Sequence, residues 1–443
     1  MPFSPSDSLL FAPLFSDPAL AAIFSDEEFV RRMLEVEAAL ARVEGELGVI
    51  PAEAGRRISA SVPGLTINLE RLRAGVETDG FPVVELIKQI RTGVGKDAAY
   101  VHWGATTQDI MDTALILQLR DAVGVLEGHL AELIAALAAL AARHRNTLMA
   151  GRTHSQQALP IPFGFKAANW LAPFLRHRKR LAELKPRLLV VQFGGAVGTL
   201  AALSGDGLAV QQGLADELKL SVLPMPWHTQ RDNLVEFAGW VSLISGSLAK
   251  IAQDIILMAQ TEVAELSEAA DRTHGGSSTM PQKSNPIISE TVIAAARVTA
   301  SLLAAMHQAQ IQEHERATGS WQTEWLALPQ MVGLAAGALQ RTLLLSKNLV
   351  VDEARMQRNV QASNGLMLAE RLSFELARSL GRAEAEQLVR SACQTAIQQD
   401  RHLVDVLSEQ TTAALDWASL RNEAGYLGAA QAFIDRVVKE AAA

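Results

Sequence analysis

One cysteine, Cys393, among 443 residues excludes an intrachain disulfide and any metal centre built from several thiolates. Aromatic residues make up only 5% of the chain, and the Val/Ile/Thr/Tyr runs that favour strands are scarce as well. No basic block appears, with 40 Lys and Arg against 48 Asp and Glu. The formal charge of −8 favours solubility and argues against a nucleic-acid partner. The opening MPFSPSDSLL lacks the basic start and long apolar run of a signal peptide, so none is expected. The most apolar run, residues 133–142, lies between Glu132 and Arg143. It is well short of the roughly 20 residues a bilayer crossing needs. The expectation is a cytoplasmic protein without a membrane partner. Nucleophile elbow, P-loop, dinucleotide fingerprint and paired zinc ligands are missing too. The run FGGAVG, residues 193–198, lacks dinucleotide spacing and reads as a turn.

What is present is mostly helical. Hydrophobic residues reach 49%, led by Ala and Leu, both strong helix formers, so the expected class is all-α. The length suggests two or three domains. Residues 26–47 carry apolar positions at three- and four-residue steps and stop at Gly48 and Pro51. Leu126, Leu130, Leu133, Leu137 and Leu140 form a heptad seam, and Ile244, Leu248, Ile251, Ile255 and Met258 repeat its steps. A third apolar tract follows Pro286. Small residues fill many remaining positions, so more than one face of each helix can be buried. These tracts read as the spine of a bundle, within one chain or shared between subunits. The expected domains are residues 1–105, a central long-helix region 106–348 and a small helical region 349–443.

Polar residues gather at three breaks in this helical pattern. The first is VHWGATTQD, residues 101–109, where Thr106 and Thr107 stand at a helix start. The segment suits either plain N-capping by Thr or Asp, or an anion held beside the hydroxyls at the free backbone N–H groups. The second is GRTHSQQALPIP, residues 151–162, read as a loop ahead of a helix that Pro162 opens. It places His154 among Arg152, Thr153, Ser155 and Gln156, as a positioned functional group or as surface decoration. The third is GGSSTMPQKSNP, residues 275–286. Its glycines free the backbone, Asn285-Pro286 reads as N-cap and first helical residue, and Glu290 falls in the following turns. With Ser277, Ser278 and Lys283 it has the make-up of a lid closing over an anion at a positive helix end, the alternative being a flexible linker.

GSSTMPQKSNP resembles the GSSxMPxKxNP signature of the fumarase/aspartase superfamily, which includes argininosuccinate and adenylosuccinate lyases. GATTQD and GRTHSQQ are similar to its other two active-site segments, in the same order. The resemblance runs over essentially the whole chain, including MLEVEAALARVEGELGVIP. It implies a three-domain, all-α homotetramer around a core of roughly 20 helices. Each active site would take its three segments from three subunits, without metal or organic cofactor. HWGATTQDIMDTA, MPQKSNPI and HERATGSWQTEW look most like the superfamily's lactonising cycloisomerases. Adenylosuccinate lyases are the rival resemblance, but they carry a Ser/His-containing stretch where residues 317–322 read ATGSWQ. An idle scaffold is a third reading, opposed by the intact Ser277, Lys283, Asn285, His154 and Glu290.

By resemblance, Ser277 is the carbon acid/base, activated by Lys283, the loop amides and the helix end behind Asn285. His154 and Glu290 look like the paired general acid and its orienting carboxylate. The implied substrate is a small tricarboxylate. Thr106, Thr107, Thr153, Ser155 and Asn285 are its neutral donors. Lys283, Arg231 and Arg316 are the candidate cations, with Arg231 and Arg316 equally open to a structural ion-pair role.

Overall fold

The computed structural model describes residues 4–268, 275, 276 and 279–442. Ser277 and Ser278 therefore lie outside the described residues. Backbone proximity divides the chain into two compact units, each drawn from three stretches. The first comprises Met1–His129, His177–Gly246 and Ala294–Gln340; the second comprises Leu130–Arg176, Ser247–Ile293 and Arg341–Ala443. Six helices carry the argument: α1 (Asp26–Glu46), α2 (Thr107–Arg143), α3 (Phe163–Leu188), α4 (Asp232–Ala259), α5 (Ile287–Ala309) and α6 (Ser320–Asn348).

Local chemistry sets their ends. Ser25 caps α1 by accepting from the Glu28 N–H, and Asp26, Glu27 and Glu28 complement the positive end of the helix dipole. Past its C-terminus the chain turns at Gly48, φ 75°. Here α1 meets the helix Ala52–Ser61 at backbone contact. A Cβ on Gly55 would fall 2.5 Å from the Ala41 carbonyl oxygen and 2.8 Å from Gly45 Cα, so only glycine fits.

The heptad seams are buried as their spacing predicts. Leu126, Leu130, Leu133 and Leu137 on α2, with Ile244, Leu248, Ile251 and Ile255 on α4, are each no more than 1% exposed. Each such side chain contributes roughly 1.5–3 kcal/mol of burial free energy. Other apolar residues on the long helices remain uncovered: Leu257 on α4 is 43% exposed, Val298 on α5 48% and Leu326 on α6 70%. By length and composition α2, α4 and α5 are each apolar enough to cross a membrane. This corrects the sequence reading, which measured uninterrupted runs. Averaged over 18 residues, the isolated polar positions no longer mask the apolar excess.

Strands are few and short. β1 (Leu148–Thr153) and β2 (Gln156–Pro162) form an antiparallel hairpin pairing Thr153 with Gln156 and Leu148 with Pro162. The segment read as a loop is thus a hairpin, and its turn is His154-Ser155. A two-residue strand pair, Leu266–Ser267 with Val350–Val351, makes a second small sheet. The helices Ala369–Leu380, Arg382–Gln399 and Leu403–Gln410 share a buried cluster that includes Leu372, Val389 and Leu407, with Cys393 at its edge.

Among the described residues the Glu44 carboxyl is buried without a partner. Both carboxyl oxygens of Glu44 on α1 lack a hydrogen-bond partner among the described residues, and the residue is 0% exposed. Burial, reinforced by the Glu37 charge, pushes its pKa up to about 9. Above the ordinary carboxyl range the unfolded chain releases this proton while the folded chain keeps it. Folding stability therefore falls as pH rises, up to about pH 9 where the folded form also ionises. Glu44→Gln should remove a slope on the order of 1 kcal/mol per pH unit. In urea titrations from pH 5 to 9 the variant should gain on the wild type steadily; parallel curves would contradict this.

Candidate active site

The first segment is organised by a carboxylate. Asp109, in the first turn of α2, is 1% exposed. Its Oδ2 accepts the Thr106 N–H at 3.0 Å, reaching back across the helix start as the third residue of a capping box does. The same carboxylate accepts the Gly194 and Gly195 N–H groups at 3.0 and 2.9 Å, and His228 Nε2 lies 2.7 Å from Oδ1. Four groups from three separate stretches thus meet on one side chain. Thr106 and Thr107 stand half-buried beside it, and FGGAVG is the turn that wraps it.

Arg316 fastens the same cluster. Its guanidinium donates to Gln108 Oε1 at 2.9 Å and to the carbonyls of Gly195 and Ala196 at 3.0 and 2.8 Å. All three acceptors are neutral. Burial pulls the guanidinium below its usual range, and Asp109 and Asp112 offset this only in part. Arg316 is therefore a half-buried cation without a hydrogen-bonded anion among the described residues.

Arg231 is placed differently. It is 0% exposed by side chain and pairs with Asp112 and Glu324, each 1% exposed. Nε and Nη2 serve Glu324, Nη1 and Nη2 serve Asp112, and Nη1 also reaches the Trp227 carbonyl. Burial pulls the guanidinium down, but the two carboxylates outweigh it and hold the group charged. All five N–H groups are engaged, so of its two sequence-level roles Arg231 fills the ion-pair one here.

The other candidates belong to the second unit. His154 and Ser155 form the turn of the β1–β2 hairpin with φ of 49° and 62°, and with Thr153 they are exposed. Left-handed backbone at two successive non-glycine residues is strained, as at many functional sites. The hairpin is anchored by Arg152, which donates to both oxygens of Glu265 at 2.8 and 2.7 Å. Beyond Glu265, the third segment closes on itself. Gly276 and Ser284 form an antiparallel bridge, and the Asn285 N–H donates to the Gly275 carbonyl at 2.8 Å. A Cβ on Gly275, φ 73°, would fall 2.2 Å from the Asn285 carbonyl oxygen. Lys283 and Glu290 are exposed and Asn285 is half-buried.

The start of α5 departs from expectation. The helix begins at Ile287, and its leading N–H groups are capped by Glu268 rather than by Asn285. Glu268 Oε2 accepts from Ile288 at 2.9 Å and Oε1 from Ser289 at 2.8 Å. A buried carboxylate thus fills the positive helix end that the sequence reading assigned to a substrate anion. Lys283 and the loop amides remain as the positive groups of that segment.

The first unit brings together Thr106, Thr107 and Arg316, with Arg231 joined to them through Gln108 and Asp112. The second holds Lys283, Asn285 and Glu290 on one loop-and-helix start, and Thr153, His154 and Ser155 on the hairpin. Among the described residues no hydrogen bond or ion pair joins His154 to Glu290. Sequence reasoning weighed Asp109 only as a cap, in keeping with the capping-box spacing of Thr106 and Asp109, and missed its distant partners. It also missed His228 and Glu268, whose partners are 119 and about 20 residues away. A cavity of about 670 Å³ in the first unit is lined by Met33, Leu72, Trp321 and Trp325 with the carboxylates of Asp26, Glu70, Asp112 and Glu324. Arg73 is the one basic residue among the described lining, the wrong balance for an anionic ligand.

With this geometry in place, comparison with known proteins decides the family. Residues 16–300 match the family described as lyase. The chain belongs to the fumarase/aspartase superfamily of lyases. Residues 365–437 match a second family description, adenylosuccinate lyase C-terminus. A 3-carboxy-cis,cis-muconate cycloisomerase of Pseudomonas aeruginosa is 44% identical over 440 residues, covering 97% of this chain and 96% of that one. The crystal structure of the 3-carboxy-cis,cis-muconate lactonizing enzyme from Pseudomonas putida matches with a TM-score of 0.92. It is 43% identical and covers 98% of this chain and 99% of its own. A fumarate lyase structure from Mesorhizobium matches at 0.91 and 41% identity, covering 96% and 98%. The all-α fold that the signature implied is the fold of this superfamily.

Arg231 offers a direct test of structure against binding. Arg231→Met strands two buried carboxylates and should cost about 3–5 kcal/mol, read as a lowered urea midpoint. A substrate clamp would instead leave the midpoint unchanged and raise KM alone.

Proposed function

We propose that this chain interconverts 3-carboxy-cis,cis-muconate and a carboxymuconolactone, an intramolecular lyase reaction of the protocatechuate branch of β-ketoadipate catabolism. The observation that carries this reading is the full-length similarity to cycloisomerases, 44% identical over 97% of the chain, with all three site segments intact. Arg316, whose hydrogen-bond acceptors among the described residues are all neutral, supplies positive charge of the kind a tricarboxylate requires. No metal or organic cofactor takes part in the proposed chemistry.

In the lactonising direction a substrate carboxylate oxygen adds to the alkene carbon β to another carboxylate. The displaced electron pair moves into that carboxylate as an enediolate. Ser277 then delivers a proton to the α carbon. One C–O and one C–H bond form, one C=C π bond is lost, and one proton is taken up from water overall. In the reverse direction Ser277 removes the α proton. A serine hydroxyl is too weak a base unaided, so Lys283 and the loop amides must stabilise its alkoxide and hold the enediolate. Thr106, Thr107, Thr153, Ser155 and Asn285 complete the binding of the carboxylates. His154, oriented by Glu290, contributes mainly to binding. The leaving group of the reverse reaction is a carboxylate with a pKa near 4, which needs little help from an acid.

The proposed assembly is a cytoplasmic homotetramer with three-domain subunits (residues 1–105, 106–348 and 349–443) and sites built from three chains. The uncovered apolar residues of α4, α5 and α6 support it, and among the described residues of one chain no hydrogen bond or ion pair joins His154 to Glu290. Protein rather than lipid is the fitting cover, because α2 also carries Arg120, Asp121, Glu127 and Glu132, which hydrocarbon would exclude.

Ser277→Ala should lower kcat by roughly 10²- to 10⁴-fold, the usual worth of a positioned acid/base. His154→Asn should lower it far less. Both are read from the loss of diene ultraviolet absorbance without added metal. An equal fall for the two variants would sink the assigned roles. Turnover of adenylosuccinate in place of the muconate would overturn the substrate.

A further inference from the structure

Arg231 and Arg316 both belong to the first unit, yet they meet opposite kinds of acceptor. Arg231 is held by two carboxylates, Asp112 and Glu324, and Arg316 by one side-chain amide and two backbone carbonyls. Gln108 supplies that amide. It stands in the first turn of α2, is 2% exposed, and links the two arginines through Asp112.

Its neighbours decide which way the Gln108 amide points. Nε2 lies 3.1 Å from Asp112 Oδ2 and 3.0 Å from the His228 carbonyl oxygen. Both are acceptors, so the NH2 side faces them and the amide oxygen faces away. Asp112 is itself locked. Arg231 donates to both of its oxygens, and the Trp321 indole N–H donates to Oδ1 at 3.0 Å. The Gln108 oxygen is thereby aimed at Arg316 Nη1, 2.9 Å away. A carboxylate in that place would hold the guanidinium as firmly but would also pair with its charge. The amide holds it without supplying an anion. Arg316 Nε makes no hydrogen bond among the described residues and is not sealed from solvent. A guanidinium stays protonated in proteins, so this N–H is a donor at any working pH.

We infer that Gln108 is a positioning residue that sets specificity: its amide, aimed by Asp112, fixes Arg316 while leaving the guanidinium to pair with a substrate carboxylate. The inference rests on the reading above, in which the substrate is a tricarboxylate and Arg316 one of its cations. Neither Gln108 nor Asp112 touches substrate. Arg231 then serves binding only at a distance, by locking the carboxylate that orients the amide.

The test compares two variants in binding of tricarballylate, a saturated tricarboxylate. Gln108→Glu keeps the shape and adds a carboxyl group beside Arg316; Gln108→Met removes the hydrogen bonds without adding charge. At about pH 8 the Glu variant should bind tricarballylate roughly 10- to 100-fold more weakly than the wild type by calorimetry, with a parallel loss in kcat/KM. The Met variant should lose less. As pH falls, the added carboxyl group, crowded by Asp112, takes up a proton and regains the amide pattern, with O–H towards Asp112 and C=O towards Arg316. The loss in the Glu variant should therefore shrink, while that of the Met variant holds steady. Equal losses with the same pH dependence would show that Gln108 only supports the fold, and wild-type constants in the Glu variant would refute the inference outright. The predicted pattern in a protein whose wild type does not turn over the muconate would uphold this inference while refuting the proposed reaction. Failure of the wild type to bind tricarballylate would overturn the inference. If the Glu variant unfolds, crystals of the wild type with tricarballylate decide. A ligand carboxylate on Arg316 with the Gln108 bond kept supports the inference; a ligand seated elsewhere refutes it.

Discussion

The chain has more apolar helix surface than it buries alone. The seams of α2 and α4 are closed to solvent, while Leu257, Val298 and Leu326 on neighbouring faces stay open. A helix apolar on more than one face needs more than one partner. The proposed tetramer supplies them, and it also accounts for the distribution of the site segments. Under that proposal the chemistry depends on helix packing, because the groups assigned to the substrate are carried near the ends of the helices that would associate.

Two carboxylates prepare those ends. Glu268 accepts the leading N–H groups of α5 that would otherwise attract a nearby anion, while Asp109 ties the Thr106 N–H just ahead of α2 to the Gly194-Gly195 turn. A substrate rich in carboxylates would compete for those positions were they empty. In the proposed site the positive charge for substrate lies on side chains, Arg316 in the first unit and Lys283 in the second. Arg231, cancelled by Asp112 and Glu324, shows the contrasting use of the same residue type as a buried tie.

The legible parts of this molecule are those set by local periodicity. The α1 boundaries follow from Ser25, Glu28 and Gly48, and the seams from three- and four-residue steps. The three polar breaks stand out because each interrupts a helix pattern. The hairpin carrying His154 was hidden because Pro160 and Pro162 argue against a strand and because Thr153-His154-Ser155-Gln156 contains no glycine to announce a turn. The burial of Arg231 was hidden for another reason: Asp112 and Glu324 are 119 and 93 residues away. Glu268 was invisible as a cap because nothing local ties a carboxylate to amides about 20 residues downstream. The superfamily signature bridges such gaps only for the residues it contains.

The central claim is that catalysis requires parts from different chains. It is tested most directly by unfolding Ser277→Ala and Arg316→Ala together and letting them reassemble. Arg316 belongs to the first unit and Ser277 to the second, so mixed tetramers would contain sites in which both residues are intact if those parts come from different chains. The account predicts that the mixture regains turnover of 3-carboxy-cis,cis-muconate that neither variant shows alone. If native mass spectrometry finds mixed tetramers and turnover stays absent at every mixing ratio, each site is built from a single chain and the account is wrong.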